Sequence, residues 1–401
     1  MTHRLYYDAP YLTEFNARVL VSRPSGDAWE VLLNQSAFYP TSGGQPFDTG
    51  TLGAARVTDV NVTDGGEVWH TVTTPLTEGD VIHGRIDWPR RFDHMQQHAA
   101  DHMIASALHR LLGGVTIGLH ISADVSTIDV AMPGGVTRIS EEDVRRIEAD
   151  VNERVQRDVP IRCWFPDAQK LPLLPLRKPP TVEEHVRIVA IGDDEMVACG
   201  GTHPSTAGQL GLVKILSVTP ARGKMRVCFV AGARALADYA RCSQAAHGAA
   251  ALLSTGVENL PAGVAALQER MKAAEYELNR LRREHLLAQA PQLLAEAEPL
   301  PDGTRLIARF VPADAALLRD LASRLIGEQG VAALLGAMHP DGQTALYVFA
   351  RSADVALDAG ALLRDAARPL GGKGGGRPDF AQGGGCPEIL QAAADALRTG
   401  R

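Results

Sequence analysis

Hydrophobic and polar positions divide the chain into four stretches of different rhythm. Over residues 1–88, short apolar runs alternate with turns rich in Gly, Pro, Asp and Thr. The runs are Ala17 to Val21, Trp29 to Asn34, Val57 to Val62, Glu67 to Val72 and Asp80 to Ile86. Several short strands at this spacing predict a small β-barrel. Residues 89–235 mix helical and strand periods and predict an α/β region. A helix is expected over Arg90 to Leu112, and a second from the cap Ser140 to about Val155, with acids in its first turn. Strands are expected over Thr116 to Ile121, Ser126 to Ala131, Ile161 to Phe165, Val186 to Ile191, Leu212 to Val218 and Met225 to Val230. The last two flank the basic turn Arg222-Gly223-Lys224, and the Pro-rich stretch Leu171 to Pro180 reads as irregular.

Residues 236–299 carry a helical pattern. Leu267, Met271, Ala274, Leu278 and Leu281 step by four and three, a short heptad seam. Glu269, Arg270, Glu277, Arg280, Arg282 and Arg283 fall on other faces. A packed helical hairpin between two domains is the preferred reading, and Pro291 should kink or end it. A homodimer through this linker or the C-terminal domain stays open. Residues 300–401 alternate strand and helix: Arg305 to Val311, Ala315 to Ile326, Val331 to Met338, Thr344 to Ala350, Leu357 to Ala367 and Pro387 to Leu397. The expected fold class is α+β and multidomain: barrel, central α/β domain, helical linker and C-terminal α/β domain.

Composition narrows the function classes. Hydrophobic content of 45% with 22% charged residues describes an ordinary globular protein. A net charge of −7 gives no global pull toward nucleic acid, so any RNA contact must use local basic patches. The five Cys stand at 163, 199, 228, 242 and 386, an odd number without paired spacing, which points to a reducing compartment. The first residues lack a basic segment followed by an apolar run, and no stretch reaches the roughly 18 apolar residues of a membrane span. A cytoplasmic protein without a membrane partner is expected.

Candidate chemistry sits in two clusters. His98 and His102 lie one turn apart on one helix face. Cys199-Gly200-Gly201-Thr202-His203 puts a thiol and an imidazole on a glycine-loosened turn. Together they form a four-ligand nitrogen and sulfur set that suits zinc. A zinc protease would need Glu directly after the first His, and Ala99 stands there. Four protein ligands also suit a purely structural zinc, unless His203 gives up its place to water or substrate. Two further stretches stand out. Gln35 to Pro46 sets two aromatics before a Ser/Gly loop that presents Gln45. Gly371 to Pro378, with Lys373 and Arg377, reads as a glycine loop able to approach phosphates, but it lacks the Lys-Ser/Thr pair of a P-loop.

Four of these pieces together resemble one family, the alanyl-tRNA editing proteins called AlaX, in the long form. The pieces are the Phe38 to Gln45 loop, the His98/His102 pair, the Cys199 to His203 turn, and Gly371 to Gln382, which looks like a DHHA1 domain. The resemblance covers nearly the whole chain. Two positions depart from the family's usual residues: Ser36 stands where Thr is more common, and Ala99 to Asp101 are not the commonest. The resemblance implies zinc held by His98, His102, Cys199 and His203, with Gln45, Ser36 and Thr202 as catalytic or selectivity residues. It implies hydrolysis of the ester between a wrong amino acid, serine first and glycine next, and tRNA(Ala). Lys373 and Arg377 would contact the tRNA. A threonyl-type editing hydrolase and a non-catalytic tRNA-binding factor with structural zinc are the alternatives. A DHH-type phosphoesterase is set aside because no Asp-His-His triplet occurs.

Overall fold

The strictest alternation in the chain runs along its first long strand. Over β1 (Glu14–Ser25), Phe15, Ala17 and Val19 point inward while their neighbours face solvent. In this computed structural model β1 is one of six strands, with β2 (Ala28–Leu33), β3 (Gly50–Leu52), β4 (Ala55–Val62), β5 (Val68–Val72) and β6 (Val81–Ile86). They close in the order β1-β2-β5-β4-β3-β6, and closure removes every sheet edge. The structure describes residues 2–180, 182 and 184–399.

Leaving the barrel, the chain enters α1 (Trp88–Leu112), with Pro89 in its first turn and Gly113 (φ 70°) ending it. Its middle is buried on nearly all sides, which explains the weak amphipathic pattern there. One side packs on the antiparallel sheet β7 (Val115–Ile121), β8 (Ser126–Ala131), β12 (Val213–Ala221) and β13 (Lys224–Ala231), ordered β12-β13-β8-β7. The other meets α2 (Glu141–Gln156), capped by Ser140, whose Oγ accepts from the Asp143 N–H at 3.0 Å. A second antiparallel sheet joins β9 (Ile161–Trp164), β10 (Ile188–Ile191) and β11 (Glu195–Ala198). α3 (Ala233–Leu252) follows.

The chain divides into two compact units, one running through Gly248 and one starting at Ala249. After the last residues of α3, the second unit continues with α4 (Leu260–Ala288) and α5 (Ala290–Ala295), with Pro291 at the restart. The heptad seam does not pack as expected. Leu267, Met271, Leu278 and Leu281 are exposed, and α4 buries only its C-terminal end, through Leu286. A six-stranded sheet follows, ordered β14-β15-β16-β17-β19-β18. Its strands are β14 (Glu298–Pro299), β15 (Arg305–Phe310), β16 (Val331–Met338), β17 (Ala345–Arg351), β18 (Lys373–Gly376) and β19 (Phe380–Gly385). β16 is an unbroken apolar run because both faces are covered. Leu334 faces the layer of α7 (Ala359–Ala367) and α8 (Glu388–Thr399), while Leu335 faces α6 (Ala315–Leu325).

The stretch read as a glycine loop is the edge hairpin β18–β19, with Gly374 paired to Gly383. Glycine is required there by close approach. A Cβ on Gly374 would lie 2.7 Å from Leu363 of α7, and one on Gly383 would lie 2.6 Å from the Lys373 carbonyl oxygen. No single helix among the described residues is long and apolar enough to cross a membrane.

Candidate metal centre

A buried ion pair fixes the start of α1 against the barrel. Arg91 Nε donates to both oxygens of Asp48 at 2.9 Å, and its Nη groups donate to the carbonyls of Pro10 (3.0 Å) and Ala37 (2.6 Å). Asp48 also accepts from the Tyr39 N–H at 2.6 Å, so one carboxylate ties the barrel loop to the helix. The loop tip then rests on β7. Ile121 N–H donates to Gly44 O at 3.0 Å, and a Cβ on Gly44 (φ +85°) would lie 2.3 Å from Leu119 O. These contacts deliver Gln45 to the helix turn that carries His98.

There the two His of α1 meet the turn after β11. One donor atom from each of His98, His102, Cys199 and His203 lies within 4.8 Å of all the others. His98 Nε2 is 3.3 Å and His203 Nε2 3.5 Å from Cys199 Sγ. Bonds of about 2.0–2.3 Å to a tetrahedral ion give donor separations of about 3.3–3.8 Å, which the two contacts to Cys199 already match, while any pair near the 4.8 Å limit would have to draw in. Gly201 makes room for it: a Cβ there would lie 2.1 Å from the His98 ring.

Gln45 fixes the His98 tautomer. Its Oε1 accepts from the backbone N–H of Thr202 at 3.1 Å, and its Nε2 donates to Thr202 Oγ1 at 2.8 Å. A backbone N–H can only donate, so the atom facing His98 is the amide oxygen. His98 Nδ1, 2.8 Å from that oxygen, must therefore carry the proton. Nε2 is left as the metal-facing lone pair, the arrangement by which outer partners orient ligating imidazoles.

Behind His102 stands Glu195, fully buried and held by Arg177 through three contacts of 2.9–3.1 Å. Its Oε1 is 3.7 Å from His102 Nδ1, too long for a hydrogen bond but close enough to favour positive charge on the ring. Burial opposes charge on His102, yet the Cys199 thiolate and Glu195 outweigh it and push the ring up to about 10. Burial also raises the Cys199 thiol, but the imidazoles of His98 and His102 hold it well below its ordinary value. Burial brings His203 down to about 3, leaving it a neutral donor. Arg187 braces the turn, donating to the carbonyls of Cys199 (3.1 Å) and Gly201 (2.8 Å).

His98, His102 and Cys199 line a cavity of about 820 Å³, with Tyr7, Thr116 and Asp101 also on its wall. Burial pushes the Asp101 carboxyl up. Gln45 and Thr202 join the cluster from behind and are not among the residues that line the cavity. Ser36 is not brought to the cluster. It is enclosed in the barrel, 2.7 Å from His70 Nε2, and its oxygen accepts from the Phe38 N–H at 3.1 Å. Glu195, Arg177 and Arg187 escaped the sequence analysis. The signal for Glu195 was an acid opening an apolar strand four residues before Cys199.

In the second unit, a groove of about 400 Å³ runs between α7 and β18, lined by Arg364, Arg368 and Lys373 with Asp365. Arg377 is not among its lining residues; it pairs with Asp379 at 3.3 Å. Arg364 and Arg368 are one helical turn apart, a spacing the sequence offered but the glycine motif overshadowed.

Comparison with known proteins accounts for these regions. The family described as tRNA synthetases class II (A) matches residues 12–90. The threonyl and alanyl tRNA synthetase second additional domain matches 186–227, which spans the Cys199 to His203 turn, and the DHHA1 domain matches 303–399. The chain is 33% identical to the alanine–tRNA ligase of Haloquadratum walsbyi over 394 residues, covering 95% of this chain and 42% of that one. It is 34% identical to that of Archaeoglobus fulgidus, with 95% and 42% covered. The C-Ala domain of Aquifex aeolicus alanyl-tRNA synthetase, a solved structure, is 25% identical, covering 26% of this chain and 96% of that one, with a TM-score of 0.23. The chain thus spans about two fifths of the length of the curated relatives it matches. Barrel, second additional domain and DHHA1 domain define a protein of the tRNA-synthetase-related class. Within that class the chain belongs with the relatives of alanyl-tRNA synthetase, and its set of regions is AlaX-like.

Proposed function

We propose that the chain hydrolyses the ester of mischarged tRNA(Ala), chiefly seryl-tRNA(Ala) and also glycyl-tRNA(Ala). The observation that carries this reading is the convergence of His98, His102 and Cys199 on one cavity wall, with His203 behind them. The donor set favours zinc, which when bound supplies Lewis-acid polarisation of an ester carbonyl. The chain's own residues do the positioning. Gln45 holds the His98 proton on Nδ1, Glu195 faces the far side of His102, and Arg187 braces the Cys199 turn. Tyr7, Ser42 and Thr116 supply hydroxyls on the cavity wall. A serine side chain can bond to such groups, whereas alanine would leave them unpaired.

The groove cations Arg364, Arg368 and Lys373 would hold the tRNA backbone. A second copy of the chain is the partner proposed for the exposed seam of α4. The five free cysteines fit a cytoplasmic setting.

Deacylation of seryl-, glycyl- and alanyl-tRNA(Ala) by the zinc-loaded chain, with and without chelator, tests the reading. Hydrolysis of the first two, sparing of the third and loss of activity on chelation are expected. Tight tRNA binding with no hydrolysis at full metal content would leave a binding factor with structural metal.

A further inference from the structure

We propose that Asp101 binds the α-ammonium group of the aminoacyl ester, an assignment that rests on the deacylase reading above. Asp101 is three residues after His98 and one before His102 on α1, and it lies on the cavity wall with both. Its carboxylate makes no hydrogen bond or ion pair to the other described residues. The two guanidiniums nearby are committed elsewhere. Arg177 binds Glu195 and, through Nη1, Thr116 Oγ1 at 2.9 Å, and Arg187 binds the carbonyls of Cys199 and Gly201. A half-buried carboxylate with no protein partner, open to the cavity, is free to take a cation or a donor from outside the fold.

The substrate class supplies that cation. In every aminoacyl ester the ammonium nitrogen is two bonds from the carbonyl carbon. A site that presents the carbonyl to His98, His102 and Cys199 therefore places the ammonium within a few ångströms of them. Asp101 stands on the same helix about one turn after His98 and on the same cavity wall as both imidazoles, so it meets the ammonium as the carbonyl is seated. A charge-assisted hydrogen bond of this kind also discriminates: an ester whose nitrogen is acylated carries neither the charge nor the geometry.

The experiment compares seryl-tRNA(Ala) with N-acetylseryl-tRNA(Ala) as substrates of the full zinc-loaded chain, wild type and Asp101→Asn. The wild type should favour the free amine. Asp101→Asn should lower kcat/KM on the free amine by about ten- to a hundredfold, mainly through KM, and leave the acetylated ester within about twofold. Zinc per chain should stay unchanged. Equal losses on both esters, no loss on either, or loss of zinc would each overturn the assignment. Failure of the wild type on both esters would overturn the deacylase reading and this assignment with it.

Discussion

Gln45 Oε1 lies 2.8 Å from His98 Nδ1, across 53 residues of chain, and joins the barrel to the candidate metal centre. The bond makes a specific demand on the metal rather than on a substrate. Gln45→Ala removes the acceptor that keeps the His98 proton on Nδ1. Metal affinity should fall by about 10–100-fold, measured by chelator competition, and deacylation should be recovered by added zinc. A Gln45→Ala chain with normal metal affinity and poor activity would return Gln45 to a role against the substrate.

His70 and Ser36 form a second buried pair, and it predicts acid sensitivity. His70 Nδ1 must donate to the Val31 carbonyl at 3.2 Å, so Nε2 accepts from the Ser36 hydroxyl. Burial brings His70 down from 6.5 to about 4. The folded state holds the ring neutral while the unfolded chain takes up a proton below about 6.5, so stability is intact above that pH. It is lost progressively as pH falls from about 6.5 to about 4, by on the order of 3 kcal/mol in all. All four Trp lie at or before residue 164, so fluorescence-detected denaturation reports on this unit. The drop between pH 7 and 4.5 should shrink in His70→Gln, even though that variant is less stable at pH 7.

Much of this centre was legible in the sequence, for identifiable reasons. The i, i+4 spacing puts His98 and His102 on one face wherever the helix sits, and alternation marked the barrel strands. What escaped depended on contacts distant in sequence. The Arg177–Glu195 pair joins a Pro-rich segment to a strand 18 residues on, with no periodicity to announce it. Ser36 and Gln45 belong to one stretch, nine positions apart, yet one faces the barrel interior and the other the helix. The β18–β19 hairpin escaped because its strands are selected for absent side chains, so they carry no apolar alternation.

On α4, Val264, Leu267, Met271, Ala274, Leu278 and Leu281 keep a strict three-four spacing, and all but Ala274 are among the exposed large apolar residues. Parallel pairing with a second copy sets Arg270 against Glu275 and Glu277 against Arg282, so both flanking pairs attract. Sedimentation at about ten micromolar should show a dimer, and Met271→Glu with Leu278→Glu should give a monomer. A monomeric wild type would leave this face without the proposed partner.

The groove between α7 and β18 makes a prediction that separates two cations of the same glycine motif. Arg364, Arg368 and Lys373 line it and have no ion pairs among the described residues, whereas Arg377 leans on Asp379. A phosphate in the groove would meet three cations against the single carboxylate of Asp365 and displace condensed counterions. Replacing Arg364, Arg368 and Lys373 together with Ala should weaken tRNA binding and reduce the slope of log K against log salt by about 2. Arg377→Ala should change that slope by less than about 0.5, because its charge is already engaged and the groove keeps its own. Filter binding at several salt concentrations reads both effects. If Arg377→Ala flattens the salt dependence while the triple variant does not, the tRNA backbone follows the hairpin tip and the groove has no part in holding it.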